Sequence, residues 1–243
     1  MTNKTLGLIF AGGEGSRVRE VLGEDEKVKA MIKIGRVRLV DICLKYMRDS
    51  GVDDIAVLSY PSELYSDLDK RVEEHGVKVL KQKVKHRKLW SILALPYILL
   101  TQYHFSKDKE FLQGFDNLLT MPCDMVFENI DLKGLLNFHN SQLTDPMNRQ
   151  LTMLCGKWTG KGKVELFNME GDKIIGRKKY KGHIENGYEA LNPAGVYVLS
   201  EGILREPYML IFGFKRNAVY RYLLDGSWKD FGNPDVVRAS RKH

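Results

Sequence analysis

Cysteine is scarce in this chain. Three occur in 243 residues, Cys43, Cys123 and Cys155, with no Cys-x-x-Cys pair among them. An odd, widely spaced set argues against a disulfide framework and for a reducing, cytoplasmic setting. Long apolar runs are also lacking. The longest, Leu89 to Leu100, contains Ser91 and Pro96 and is too short to span a bilayer. The amino-terminal MTNKTLGLIFAGG lacks the pattern of a cleavable signal peptide. No internal repeat or low-complexity segment is visible. The histidines (His75, His86, His104, His139, His183 and His243) show no metal-binding spacing such as His-x-x-x-His, and no catalytic role is expected of them. Composition is otherwise ordinary, 43% hydrophobic and 28% charged, which suggests neither disorder nor a membrane protein.

What is present begins with charge and punctuation. The net charge of +7 favours anionic partners, without distinguishing nucleic acid from nucleotides and sugar phosphates. Near the amino terminus a short apolar run, Leu6 to Ala11, breaks into Gly12-Gly13-Glu14-Gly15-Ser16-Arg17. Glycines let backbone N–H groups approach a ligand closely. Arginine adds a fork-shaped positive charge suited to phosphate. The pattern excludes a P-loop, because no Lys-Ser or Lys-Thr pair follows the glycines. It also departs from the dinucleotide fingerprint, since Val18 stands where that motif requires a third glycine. Taken alone, the loop fits a tight turn after a first strand as well as it fits a polyphosphate cradle.

The periodicity predicts an alternation of strand and helix. Leu6–Ala11 and Asp54–Ser59 read as strands. Leu39, Ile42, Cys43, Tyr46 and Met47 recur at helical spacing until Gly51. Ser62 caps a predicted helix carrying Leu64, Leu68 and Val72, which ends at His75-Gly76. Val77–Leu80 is a third strand, Leu89–Leu100 a helix bent near Pro96, and Asn117–Cys123 a buried fourth strand. Asp131 caps a helix that runs through His139. This order implies an α/β fold with a doubly wound, mostly parallel but mixed sheet, whose ligands sit at the carboxyl ends of the strands. Leu151–Lys157, Lys163–Asn168, Lys173–Arg177 and Gly195–Ser200 read as further short strands. They are expected to extend the same sheet and to cover the ligand, so residues 1–243 are expected to form a single domain.

Several segments together resemble the sugar-phosphate nucleotidyltransferases. AGGEGSR resembles the family's Gly-Gly-x-Gly-Thr/Ser-Arg loop. Lys29-Ala30-Met31-Ile32-Lys33-Ile34 resembles the lysine motif that follows it. MPCDMVF, with Asp124, is similar to the strand-end aspartate motif that holds magnesium. Asn192-Pro193-Ala194-Gly195-Val196-Tyr197 is similar to Asn-x-Ala-Gly-Ile/Val-Tyr, and Trp228 to Pro234 (WKDFGNP) to Trp-x-Asp-Ile/Val-Gly-Thr-Pro. The segment RVRLVDICLKYMRDSGVDDIAVLS further resembles the catalytic domain of ADP-glucose pyrophosphorylases. The resemblance implies a Rossmann-like, GT-A-like nucleotidyltransferase fold. About 1–140 would bind the nucleotide and about 141–243 the sugar phosphate. The chain as given ends soon after Pro234, and no carboxyl-terminal β-helix is expected.

The implied reaction joins a nucleoside monophosphate from a nucleoside triphosphate to a sugar 1-phosphate, releasing pyrophosphate. The nucleophile is a phosphate oxygen already ionised near neutral pH, so charge neutralisation and in-line positioning are needed rather than a general base. Gly12, Gly13, Gly15 and Ser16 would cradle the triphosphate, with Gln82 near the base. Arg17 and Lys29 would stabilise charge on the leaving pyrophosphate. Asp124 and Asp230 would hold Mg²⁺, a hard cation that prefers oxygen ligands. Lys179, Asn192 and Gly195 would face the sugar phosphate. Each has a plainer rival. Lys29 lies in a charged stretch and reads nearly as well as a surface lysine. Asp230 also reads as a turn residue, Asp124 does so less well because its neighbours are apolar, and Trp228 and Phe231 read as core rather than as stacking platforms.

Two family elements are missing. No Gly-Thr-Ala follows Gln82, and Arg177-Lys178-Lys179-Tyr180 stands where the family carries Glu-Lys-Pro. These departures motivate an alternative, a nucleotidyltransferase-like binding or regulatory subunit without turnover. The basic run Lys81 to Lys88 reads first as a solvated loop, then as extra triphosphate contacts. A nucleic-acid partner is disfavoured, because only Trp90 accompanies the charges. A homodimer is compatible with the resemblance.

Overall fold

The computed structural model describes residues 3–13, 15–23, 26–82, 107–142, 149–158, 164–180, 183–184, 186–206 and 218–241, with Lys179 described by its backbone alone. The helix expected over Leu89–Leu100 lies outside these residues. In chain order the first elements are β1 (Thr5–Phe10), β2 (Lys33–Ile34), β3 (Val37–Arg38), α1 (Leu39–Ser50), β4 (Asp54–Ser59), α2 (Ser66–Glu74) and β5 (Lys78–Lys81). There follow α3 (Lys109–Leu112), β6 (Asn117–Pro122), β7 (Met125–Phe127), α4 (Leu132–Ser141), β8 (Gln150–Lys157), β9 (Glu165–Glu170) and β10 (Lys173–Lys179). The last are β11 (Tyr188–Ser200), α5 (Glu201–Arg205), β12 (Ala218–Leu223), β13 (Trp228–Asp230) and α6 (Pro234–Ser240).

Among the described residues nine strands form one sheet in the order β5-β4-β1-β6-β11-β8-β12-β10-β9. Strands β5, β4, β1 and β6 are mutually parallel, as expected of β-α-β crossovers. Beyond β6 the sheet is mixed: β11 runs antiparallel to β6 and β8, while β12 is parallel to β8. The amino-terminal end of β11 also pairs with β9, so β9, β10, β12, β8 and β11 close on themselves. This mixed α/β sheet is a Rossmann-like arrangement, and no β-helix occurs among the described residues.

Alternation of side chains divides the core between the two faces of the sheet. On one face Ile9, Val57, Leu119 and Met121 pack against Val40, Cys43, Leu44 and Met47 of α1, Leu68 and Val72 of α2, and Leu132, Leu135 and Leu136 of α4. On the other face Leu6, Leu8, Ala56, Leu58 and Leu118 meet Leu112 of α3 and Ile203 and Leu204 of α5. A third, smaller cluster sits outside the sheet. It joins Val18, Ile32 and Leu39 to Phe231 and Val237 of the carboxyl-terminal segment, so the loop after β1 packs against the chain around β13 and α6.

The helix expected after Ser62 begins as a 3₁₀ turn, Glu63–Tyr65, before α2, and Ser62 Oγ accepts from the Leu64 N–H at 3.4 Å. Asp131 caps α4 as expected, accepting from the Gly134 N–H at 2.7 Å. Strand β11 is far longer than the Gly195–Ser200 segment that the sequence suggests. Pro193 and Gly195 read as strand breakers, yet they sit in a bulge where the pairing with β8 shifts between Pro193 and Tyr197. Gly195 adopts φ +73° there, a conformation that favours glycine.

Candidate active site

Two strand ends meet. The glycine loop leaves the carboxyl end of β1, and Asp124 follows the carboxyl end of β6, the neighbouring parallel strand. The Cys123 N–H donates to the Phe10 carbonyl at 3.1 Å, which joins the two exits directly. Tyr65, 2% exposed, donates its hydroxyl to the Gly13 carbonyl at 2.9 Å and braces the loop. Gly15 turns with φ +60°. A methyl group built on it would lie 3.5 Å from Lys29 Cβ, so the loop runs alongside the lysine segment.

Lys29 then crosses to the other strand end. Its ammonium is ion-paired to the Asp124 carboxylate, with both side chains mostly buried. Burial alone would lower the Lys29 pKa. The facing Asp124 charge, together with Cys123, the Asp124 hydrogen bond and Asp230, outweighs burial and raises it. The lysine therefore stays charged. Asp230 arrives from β13, which pairs antiparallel with β7 so that Asp230 stands opposite Met125. The Phe231 N–H donates to the Asp124 carbonyl at 2.8 Å. Gly232 marks the meeting point. A methyl group there would lie 2.8 Å from Asp230 Oδ1, 3.0 Å from Asp124 Oδ2 and 3.6 Å from Lys29 Nζ.

The carboxylate pair fits the magnesium suggested by the sequence. Mg²⁺ commonly takes one or two carboxylates and fills its remaining positions with water and substrate phosphate. Among the described residues no group of three or more His, Cys, Asp or Glu side chains could hold a metal unaided.

The other expected residues fall around this centre. Gln82 is 6% exposed, and its backbone N–H donates to the Ser59 carbonyl at 2.8 Å. Its Oε1 comes so close to the glycine loop that a methyl group on Gly12 would lie 2.5 Å away. Ser16 and Arg17 are exposed in the turn after Gly15. The β11 bulge brings Gly195 against the segment carrying Asp124: a methyl group there would lie 3.4 Å from Pro122 and 3.7 Å from Met125. Asn192 lies opposite Gly156 on β8 and has no described contact with the carboxylates. Lys179 lies on β10, and its side chain is outside the described residues. Of the basic run, Lys81 is half-buried and bound to Asp69 and to Ser59, and residues 83–88 lie outside the described residues. Phe231 is core, 1% exposed, and Trp228 packs on Gly156 and Phe127, the plainer reading in both cases.

Some contributors escaped the sequence. Glu26 is buried and accepts from the Gly23 and Lys33 backbone N–H groups, each at 2.8 Å. Arg241, just past α6, donates to the same carboxylate and to the Val21 carbonyl. The pair ties the Lys29 segment to the end of α6. Glu26 sits in a run of charges that reads as solvent-facing, and nothing local marks it as buried. Tyr65 sits within a helical pattern where an aromatic reads as packing.

A family model of the MobA-like NTP transferase domain matches residues 7–144, more than half of the chain, from within β1 through α4. The chain belongs to the MobA-like NTP transferase family. The matched NTP transferase domain contains the glycine loop, Lys29, Gln82 and Asp124, while Asp230 reaches the centre from outside it. Among solved structures the chain is similar to a protein from Bacillus anthracis described as a glucose-1-phosphate thymidylyltransferase, crystallised with a sucrose. The TM-score is 0.70 at 17% identity, over 98% of this chain and 94% of that one. At that identity the likeness speaks for the fold, and it extends the fold through the residues beyond the NTP transferase domain. No protein of curated function matches by sequence. Among the described residues no helix is long and apolar enough to cross a membrane.

Proposed function

We propose that this NTP transferase uses a sugar 1-phosphate as acceptor, with Mg²⁺, and forms a nucleotide-sugar and pyrophosphate. The observation that carries the reading is the convergence of Lys29, Asp124 and Asp230 beside a glycine loop, at the carboxyl ends of adjacent parallel strands. A phosphate oxygen of the acceptor attacks the α-phosphorus, the bond to the β-phosphate oxygen breaks, and pyrophosphate leaves. No proton must be removed from the nucleophile, which explains a centre built of charges and backbone rather than of a general base. Gly12, Gly13, Gly15 and Ser16 offer backbone donors to the triphosphate. Arg17 and Lys29 compensate charge moving onto the leaving group. Asp124 and Asp230 would hold the metal, which when bound supplies further neutralisation of the phosphates. Gln82, wedged against Gly12, faces the base. The β11 bulge, with Asn192 and Gly195, and Lys179 supply the acceptor side.

A cytoplasmic location suits these substrates and the three reduced cysteines. The convergence of Lys29, Asp124 and Asp230 favours turnover over a role as a binding subunit alone. The decisive assay mixes the folded protein with each nucleoside triphosphate, Mg²⁺ and a panel of sugar 1-phosphates, and measures pyrophosphate. Release with at least one pair is expected; silence across the panel would overturn the proposal.

A further inference from the structure

The structure carries one inference beyond the reaction itself. We propose that Lys29 is the built-in counter-ion of the two carboxylates, so that a divalent ion must displace it to settle on Asp124 and Asp230, and binds tightly there only together with a triphosphate that draws the lysine away. This rests on the reading above that those carboxylates hold the metal.

Three observations support it. First, the ammonium and both carboxylates converge on one point above Gly232, at 3.6, 3.0 and 2.8 Å from a methyl group placed there. A divalent ion shared by Asp124 and Asp230 would have to enter this same small space, where the Lys29 charge repels it. Second, Asp124 and Asp230 are two carboxylates, which leave most of the coordination of Mg²⁺ to water and phosphate oxygens. Third, Lys29 has somewhere to go. Its Nζ lies 3.9 Å from a methyl group placed on Gly13, so a triphosphate laid on the glycine loop offers it new anionic partners within a short swing of its side chain. Exchange of one cation for another keeps Asp124 compensated throughout, which a mostly buried carboxylate requires. The consequence is an order of events: metal alone binds poorly, and metal with triphosphate binds well.

The test uses Mn²⁺ as the metal probe, followed by electron paramagnetic resonance, on the full chain. Wild-type protein is expected to bind Mn²⁺ weakly alone and much more tightly with at least one of the four common non-hydrolysable nucleoside triphosphates. The Lys29→Met variant, with folding checked by circular dichroism, is expected to bind Mn²⁺ alone at least tenfold more tightly than wild type. Equal affinity of the two proteins for Mn²⁺ alone would overturn the proposal. Should the variant not fold, wild-type protein answers by acylation and peptide mapping. Labelling of Lys29 should rise as Mn²⁺ alone saturates the site, and unchanged labelling at saturation would overturn it. Failure of wild type to bind Mn²⁺ with any triphosphate is seen without any substitution, and would remove the functional reading and this inference together.

Discussion

Three side chains make sharp demands on experiment. Asp124 neutralises Lys29 and is proposed to hold the metal, so Asp124→Asn should cut turnover at least a hundredfold while the far-ultraviolet circular dichroism stays native. The measurement is pyrophosphate release at saturating substrates; retained turnover would remove Asp124 from the centre. Gly12 works by absence. Any side chain there meets Gln82 Oε1 at 2.5 Å, so Gly12→Ala should weaken nucleotide binding at least tenfold by calorimetry, and adding Gln82→Ala should restore part of the folding stability but not base selectivity. His139 concerns stability. It is fully buried between Thr152 and Gln150, and burial pushes its pKa down to about 4 from an ordinary 6.5. Between those values the unfolded chain takes up a proton that the folded chain refuses, so stability falls as pH drops from 6.5 toward 4, by about 3 kcal/mol in all. Urea titrations across that range should show the slope in wild type, and a flatter one in His139→Gln. At this scale the sequence singled out Lys29, Asp124 and the glycines by type and spacing, and the structure brings them together. It hid Glu26 and Tyr65, whose roles depend on partners distant in the chain.

Among the elements, β11 and the segment after α6 carry the most testable geometry. The bulge in β11 needs Gly195 at φ +73°. Gly195→Ala should therefore cost about 1–2 kcal/mol, read as a lower urea midpoint; an unchanged midpoint would mean that the backbone relaxes there freely. Arg241 holds Glu26 and the Val21 carbonyl, so Arg241→Ala should raise amide exchange across 26–33 while β1 and β6 stay protected. Uniform exchange changes, or none, would deny the brace. The amino-terminal strands and helices were legible because their patterns are local: alternation or 3.6-residue spacing bounded by glycine and capping residues. Strand β13 and the amino-terminal part of β11 were not. Their pairing is set by distant strands, and the proline and glycine inside β11 read as stops when the bulge that accommodates them is unknown.

For the molecule as a whole, the parallel four-strand core could be inferred from the order of elements, because β-α-β crossovers leave few topologies open. The closure of β9, β10, β12, β8 and β11 could not, since it mixes parallel and antiparallel pairings that the order of elements does not decide. The same fold accounts for the cysteines. Cys43, Cys123 and Cys155 are all buried, and burial raises each thiol, Cys123 and Cys155 to about 12. A chromogenic disulfide reagent should therefore find no fast-reacting thiol in native protein and three after denaturation; a fast native thiol would contradict this packing.

Strand β11 also bears on how the protein is made. Residue 117 begins β6, yet one side of that strand stays unpaired until residues 197–200 have been synthesised. A nascent chain halted after α4 would expose a bare strand margin, ready to pair with whatever passes. Ribosome-tethered or truncated amino-terminal halves should accordingly be sticky, needing chaperones until the returning strand seals them.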